Sequence, residues 1–186
     1  MPQASRSSSD SQSRVSRHDV TSPAQEMDQD ADPENVARQI LLRRLTDQPR
    51  SRAELAESLA KKNVPDDTAK RMLDRFEELG LVNDEEFARM WVQSRQRTRG
   101  LAPRVLAMEL RRKGVNDDIV RDVLADIDAD SERAAAHRLV QKKLRSMAGL
   151  DDTTRIRRLT GMLARKGYAP QVAFDVVRTE LESASA

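Results

Sequence analysis

The sequence predicts an all-α protein made of tandem repeats of three-helix units, forming an elongated, curved array preceded by a disordered tail. Composition is the first indication. The 186 residues include only six Gly, seven Pro and 3% aromatic residues, and the plentiful Ala, Leu, Arg and acidic residues favour helices over strands. The second indication is apolar spacing of three and four residues, which is typical of helices with one buried face. The third is a motif that recurs about every 50 residues.

The recurring motif is Leu-x-x-x-Leu-x-x-Lys followed by Gly or Asn, and it occupies residues 55–63, 106–114 and 159–167. Because Gly and Asn tolerate the left-handed conformation, each motif predicts a helix that ends there. The repeat divides the body into three-helix units at residues 35–82, 83–130 and 131–186, named units 1, 2 and 3. Units of this size are expected to lean on each other end to end.

Signals for helix starts agree with three helices in each unit. Ser51 with Glu54 predicts a capping box before the second helix of unit 1, and Asn83 with Glu86 predicts one at the start of unit 2. Pro103 suits a first helical turn. Connections are predicted at residues 96–102, 126–131 and 145–153. Buried stripes are predicted at Phe87, Met90 and Trp91, at Ile119, Val123 and Ile127, and at Ile156, Leu159 and Leu163.

Charge is unevenly distributed along the chain. Residues 1–34 contain eight Ser and carry a net charge of -4, whereas unit 3 carries +5. With few large apolar residues to offset the entropy of ordering, residues 1–34 are predicted to be a disordered acidic tail. The tail is interpreted as a solubilising leader or as an acidic competitor for the basic body.

Several functional classes are disfavoured by the sequence. With no Cys, the chain has no disulfide and no thiolate zinc site, which suits a reducing cytosol and predicts a cytoplasmic protein. No apolar run approaches the roughly 18 residues of a membrane span. Phosphate loops, nucleophile motifs and paired His ligands are absent from the sequence, so it predicts no enzyme, metal or cofactor. His137 is interpreted as a packing residue.

Basic residues are the candidate binding groups. Pairs of cations end the second helix of all three units, and although such cations also offset the helix dipole, their repetition predicts a stripe facing a polyanion. Phe76, Phe87, Trp91 and Phe174 are assigned to the core, which leaves Tyr168 for base stacking and favours phosphate contacts. The candidate binding residues are Arg95, Arg97, Arg99, Arg104, Arg112, Lys113, Arg155, Arg157, Arg158, Arg165 and Lys166.

One set of residues in each unit forms a recognisable signature. It consists of Asp84–Ala88, Val92, Ser94, Arg95, Pro103, Leu106, Glu109, Leu110, Lys113 and Gly114 in unit 2, with Ser51, Arg52, Glu54 and Leu55 in unit 1 and Leu163, Arg165–Tyr168 and Val176 in unit 3. With these residues the chain resembles the RecX family, bacterial regulators of the RecA recombinase. The resemblance covers about Val36 to Leu181, with departures at Asn63, where a Gly is usual, at Ala102 and in the long leader.

The resemblance implies a non-enzymatic protein that lies along the groove of the RecA filament on single-stranded DNA. It would restrain strand exchange, ATP hydrolysis and coprotease activity, and so affect DNA repair, recombination and the SOS response. The implied partners are the RecA filament and its single-stranded DNA, with weak non-specific DNA binding and no membrane, and the implied state is a monomer.

Two other interpretations stay open at this stage. Three-helix units can act as helix-turn-helix-like modules of a DNA-binding transcriptional regulator, although the third helices of units 1 and 2 are acidic on balance and offer few side chains for base edges. The second interpretation is an adaptor with no role in nucleic-acid binding. This interpretation predicts that binding to the partner is insensitive to salt.

Overall fold

The computed structural model describes residues 32–185, and within that range the regular structure is nine helices with no strand. Residues 1–31 of the predicted acidic tail lie outside the described residues. Its predicted end at residue 34 is wrong, because Asp32 caps the first helix and residues 33–34 belong to that helix. Residues 32–185 form one compact body. The helices are α1 (Pro33–Asp47), α2 (Arg52–Ala60), α3 (Asp66–Glu78), α4 (Asp84–Arg99), α5 (Pro103–Arg112), α6 (Asp117–Ala125), α7 (Ala129–Leu144), α8 (Asp152–Arg165) and α9 (Pro170–Ser185).

The helices pack in successive triplets, each around its own apolar core. The two Leu residues of the recurring motif are fully buried in every unit, where they anchor the middle helix of the triplet. They are joined by Phe76 in unit 1, by Phe87 in unit 2 and by Val140 and Val176 in unit 3. The prediction of an all-helical chain of three-helix units is confirmed.

Local signals explain where the helices begin and end. Ser51 and Glu54 form the predicted capping box at α2. At α4, the Asn83 side chain accepts hydrogen bonds from the backbone N–H groups of Glu85 and Glu86, so capping there comes from Asn83 alone. The motif ends in a residue with positive φ in all three units, at Asn63, Gly114 and Gly167. Those residues turn the chain sharply after the middle helix.

Three predictions about individual residues are wrong. Residues 96–99 continue α4, which ends only at the left-handed Gly100, so three of the candidate arginines lie on a helix rather than in a flexible connection. Met90 is 41% exposed, outside the core of unit 2. Phe174 was predicted to be in the core and Tyr168 to be available for base stacking, but the structure shows the opposite. Tyr168 is 4% exposed and packs in the core, whereas Phe174 is 50% exposed.

The middle helices dock head to tail. The carbonyl of Lys113, after α5, accepts a hydrogen bond of 2.5 Å from the Ser51 hydroxyl, before α2. In the same way the carbonyl of Lys166, after α8, accepts a hydrogen bond of 2.9 Å from the Ala102 N–H, before α5. Ala102 also enters the core of unit 3. Two junctions with the same register therefore join the three units.

Unit 3 ends this series at its own middle helix. By motif register, Arg155 corresponds to Ser51 and Ala102, the residues that receive the neighbouring unit. However, α8 begins before this position, and the Arg155 N–H bonds to the Asp151 carbonyl inside the helix. The extra turn therefore replaces the surface on which a fourth unit would dock, as terminal repeats of arrays commonly do.

Candidate functional site

At the first junction, Lys113 joins unit 2 to unit 1 through its side chain as well as its carbonyl. Its ammonium group lies 2.6 Å from the Glu54 carboxylate, and both side chains are about one-fifth exposed, at 20% and 21%. The Asp84 carboxylate accepts a 2.8 Å hydrogen bond from the Arg52 N–H, and burial raises the pKa of Asp84. The Lys113–Glu54 pair is costly to break, because either residue would stay partly buried without the charge that lies nearest to it.

The indole of Trp91 connects this junction to the core of unit 2. Two cations lie close to its ring, the Arg95 guanidinium at 4.0 Å and the Lys113 ammonium at 4.2 Å from the ring centroid. The indole N–H donates a 2.9 Å hydrogen bond to Glu109. The predicted core anchor is thus a half-buried residue that holds the charged groups of the junction in place.

The second junction uses Lys166 in the equivalent position. The ammonium group donates a hydrogen bond to the Arg99 carbonyl, and the pKa of Lys166 is lowered, chiefly by burial and also by the nearby Arg99 guanidinium. The Tyr168 hydroxyl donates a 3.3 Å hydrogen bond to the Gly100 carbonyl. Both lysines of the recurring motif in units 2 and 3 therefore hold units together.

Of the eleven candidate cations, five are engaged within the protein. Lys113 and Lys166 belong to the junctions, and Arg95 stacks on Trp91. Arg99 is exposed but lies 3.5 Å from Glu109. The guanidinium of Arg155 bonds to the carbonyls of Met147 and Ala148 and to Asp152, so it holds the loop between α7 and α8.

The other six candidates are exposed and lie beyond ion-pair distance of every carboxylate in the described part of the chain. They are Arg97, Arg104, Arg112, Arg157, Arg158 and Arg165. In each cation pair of units 2 and 3 the first residue faces solvent and the second forms the junction. The structure brings three of the six, on α8, to a single cleft with Lys143, a residue that sequence reasoning missed.

An exposed apolar patch on unit 1 was also missed. Leu42, Leu79 and Leu81 are 47%, 55% and 49% exposed and line a cleft of about 490 Å³ between α1 and α3. Arg38 and Arg71 lie at its border. Clustered large apolar side chains on a surface are typical of protein-binding regions. The sequence gives little indication that these residues are exposed, since Leu79 and Leu81 flank the left-handed Gly80 at the end of a helix and resemble core residues.

Ionisation of Tyr168 is expected to weaken the fold at high pH. Burial raises the pKa of Tyr168 to about 12, above the value of about 10 in an unfolded chain. Its contribution to stability is therefore present below pH 10 and is lost as the pH rises through 12, costing about 2 kcal/mol by that point. Since the chain has one Tyr, absorbance at 295 nm titrates this residue alone. The Tyr168→Phe variant should lack the extra decline, and a native midpoint near that of the unfolded chain would contradict the assignment.

His137 has a structural partner in unit 3. The His137 Nδ1 atom lies 2.7 Å from Glu180, which joins α7 to α9 in unit 3. No group of three His or acidic side chains suited to a metal ion occurs among the described residues. None of the helices in residues 32–185 has the length and apolar character that crossing a bilayer requires.

The comparisons with known proteins agree on one family. Models of the first, second and third three-helix domains of RecX match residues 37–76, 83–124 and 130–177 in that order. The regulatory protein RecX of Streptomyces coelicolor is 50% identical over 151 residues, covering 81% of this chain and 80% of that protein. The corresponding protein of Mycolicibacterium smegmatis is 48% identical over 153 residues, covering 80% of this chain and 81% of that one.

A solved structure shows the same fold. The crystal structure of RecX from Lactobacillus salivarius superposes with a TM-score of 0.72 at 22% identity, covering 82% of this chain and 98% of that one. Domain order, identity over most of the chain and fold all confirm the resemblance found in the sequence. The chain belongs to the RecX family of regulatory proteins.

Proposed function

We propose that this protein is a non-enzymatic cytoplasmic regulator that binds the RecA filament on single-stranded DNA along its groove and inhibits its recombinase, ATPase and coprotease activities. The observation that carries the proposal is the set of six exposed, unpaired arginines on units joined in a fixed register. A filament repeats its own binding surface along its length, so a partner with repeated contacts matches it better than a partner with one contact.

Linked weak contacts supply the affinity in this mechanism. Each exposed charge contact contributes about 0.2 to 1 kcal/mol, but the contacts of the joined units 2 and 3 occur at high effective concentration once the first has formed. Binding to the filament therefore greatly exceeds binding to a free RecA protomer. A rod held in the groove blocks entry of a second DNA and restrains the protomers during ATP hydrolysis.

The apolar patch of unit 1 and the capped end of unit 3 complete the proposal. Exposed Leu42, Leu79 and Leu81 favour a protein partner in addition to DNA. The extra turn of α8 occupies the position where a further unit would dock, which supports a protein that acts as a monomer.

The deciding experiment measures RecA ATPase on single-stranded DNA, together with strand exchange, with and without the purified protein. We expect both activities to fall, and the inhibition to weaken as salt rises, because exposed charge contacts are screened. Unchanged ATPase and strand exchange at saturating protein would refute the proposal. Sequence-specific retardation of duplex DNA without RecA would instead support a transcriptional regulator.

A further inference from the structure

We infer that the cleft between α7 and α8 in unit 3 binds the phosphodiester backbone of single-stranded DNA directly, without RecA. This inference deepens the proposed function, on which it rests for its biological setting, by naming DNA as the partner of one part of the surface. The cleft has a volume of about 420 Å³ and a mainly polar lining. Its cations are Lys143 from α7 and Arg157, Arg158 and Arg165 from α8.

The cleft is built by the fold of unit 3. Arg158, Met162 and Arg165 are spaced by four and three residues, so they share one face of α8. Met147, which is 4% exposed, lies in the opposite loop. The Arg155 guanidinium holds that loop, since its Nε atom donates 3.2 Å to the Met147 carbonyl and an Nη atom donates 3.1 Å to the Ala148 carbonyl. The wall that this loop forms is therefore held by hydrogen bonds within the protein.

The charge of the cleft is uncompensated. Among the residues that line it, all within the described range, there is no acidic side chain. The nearest acids in sequence, Asp151 and Asp152, are engaged at the start of α8, where one accepts from the Thr154 N–H at 2.9 Å and the other pairs with Arg155 at 3.1 Å. Four cations in one cleft favour a ligand that carries several closely spaced negative charges.

Register explains why the cation at position 158 is found in unit 3 and not in units 1 and 2. At the position of Arg158, unit 1 has Glu54 and unit 2 has Val105. Both of those residues contact the next unit, Glu54 through Lys113 and Val105 through its approach to Gly167. No unit of the described chain docks at the corresponding position of unit 3, so Arg158 takes no part in a junction and can bind a ligand.

A phosphodiester strand fits this chemistry better than an acidic protein. The planar fork of Arg matches the paired oxygens of a phosphate, and a strand presents one such anion at every nucleotide. An acidic helix would need an apolar face to pack against, whereas the lining here is mainly polar. No aromatic side chain is among these lining residues of the described chain, so the cleft contacts the backbone without stacking on bases.

The test measures binding of the full chain to a labelled oligonucleotide of about 20 nucleotides by fluorescence anisotropy, without RecA. The cleft variant is Lys143→Gln, Arg157→Gln, Arg158→Gln and Arg165→Gln. The control is Arg43→Gln, Arg44→Gln, Lys70→Gln and Arg133→Gln, which removes the same charge from exposed positions elsewhere. Circular dichroism checks that both variants fold.

We expect the cleft variant to lose about tenfold or more in affinity and the control to lose less than about threefold. The slope of log affinity against log salt should fall by about 3 in the cleft variant alone, as expected for the loss of four phosphate contacts on a single strand. Thymine and adenine oligonucleotides should compete equally, and inorganic phosphate only weakly.

Equal losses in the two variants would overturn the inference, since they would show a dependence on net charge only. Retained oligonucleotide binding together with lost RecA inhibition in the cleft variant would also overturn it, in favour of a protein-docking site. If the wild-type chain binds DNA through the cleft but leaves RecA activity unchanged, the proposed function fails and the inference stands.

Discussion

Gly114→Ala is expected to lower the free energy of unfolding by about 2 to 5 kcal/mol and to open the junction between units 1 and 2. Gly114 has a φ of +74°, where an L side chain costs about 1 to 2 kcal/mol. A Cβ atom at this position would lie 2.3 Å from the Cβ atom of Ala53. That contact involves a short side chain on helix α2, so relief requires the two middle helices to move apart.

Gly80→Ala is the matched control for this prediction. Gly80 has a φ of +69°, but a Cβ atom there would meet no heavy atom within 4 Å. Its substitution therefore carries the backbone cost alone, about 1 to 2 kcal/mol. The difference between the two variants isolates the packing of the junction. Equal loss in urea unfolding would show that α5 and α2 do not pack as closely as described.

Trp91 makes the opening of this junction visible. It is the single Trp of the chain, and the Lys113 ammonium lies 4.2 Å from its ring centroid. Separation of the helices should remove that cation and admit water, so Gly114→Ala is expected to shift the native emission spectrum and Gly80→Ala to leave it unchanged. If the register of the units matters for the filament, the same variant should also lose inhibition of RecA.

The repeat could be predicted from the sequence because each motif carries its own local signals. Two Leu residues four apart, then Lys and a residue suited to positive φ, define the end of a helix without reference to the rest of the chain. Comparison of equivalent positions in the three units would also have predicted correctly which of the two aromatic residues of unit 3 is buried. Tyr168 stands where Val64 and Val115 are buried, and Phe174 stands where units 1 and 2 have the exposed Lys70 and Arg121.

The roles of the lysines could not be predicted in the same way. Position along a helix shows that Lys113 and Lys166 lie near a C-terminus, where dipole compensation, polyanion binding and unit docking all favour a cation. Only the arrangement of the units separates these possibilities, because the partners, Glu54 and the Arg99 carbonyl, are 59 and 67 residues away in sequence. Long-range pairing of this kind leaves little trace in one sequence.

The last prediction contrasts adjacent cations with different roles. Arg104 and Arg112, at the two ends of α5, are exposed and lie beyond ion-pair distance of the carboxylates in residues 32–184. We expect Arg104→Glu with Arg112→Glu to raise the concentration needed for half-inhibition of RecA ATPase by on the order of 10- to 100-fold, since two contacts become repulsive. The unfolding free energy should change by less than about 0.5 kcal/mol per site.

Two further variants serve as controls for this prediction. Arg43→Glu with Arg44→Glu applies the same change of charge to exposed positions on α1, and it should affect inhibition far less if position matters more than net charge. The α5 double variant should weaken inhibition without much loss of stability. Lys113→Gln should instead lower the free energy of unfolding by about 1 to 3 kcal/mol, because Glu54 loses the ammonium group that pairs with it. If the α5 pair and the α1 pair weaken inhibition equally, the exposed arginines act only through the overall charge, and a binding surface made of particular positions has no support.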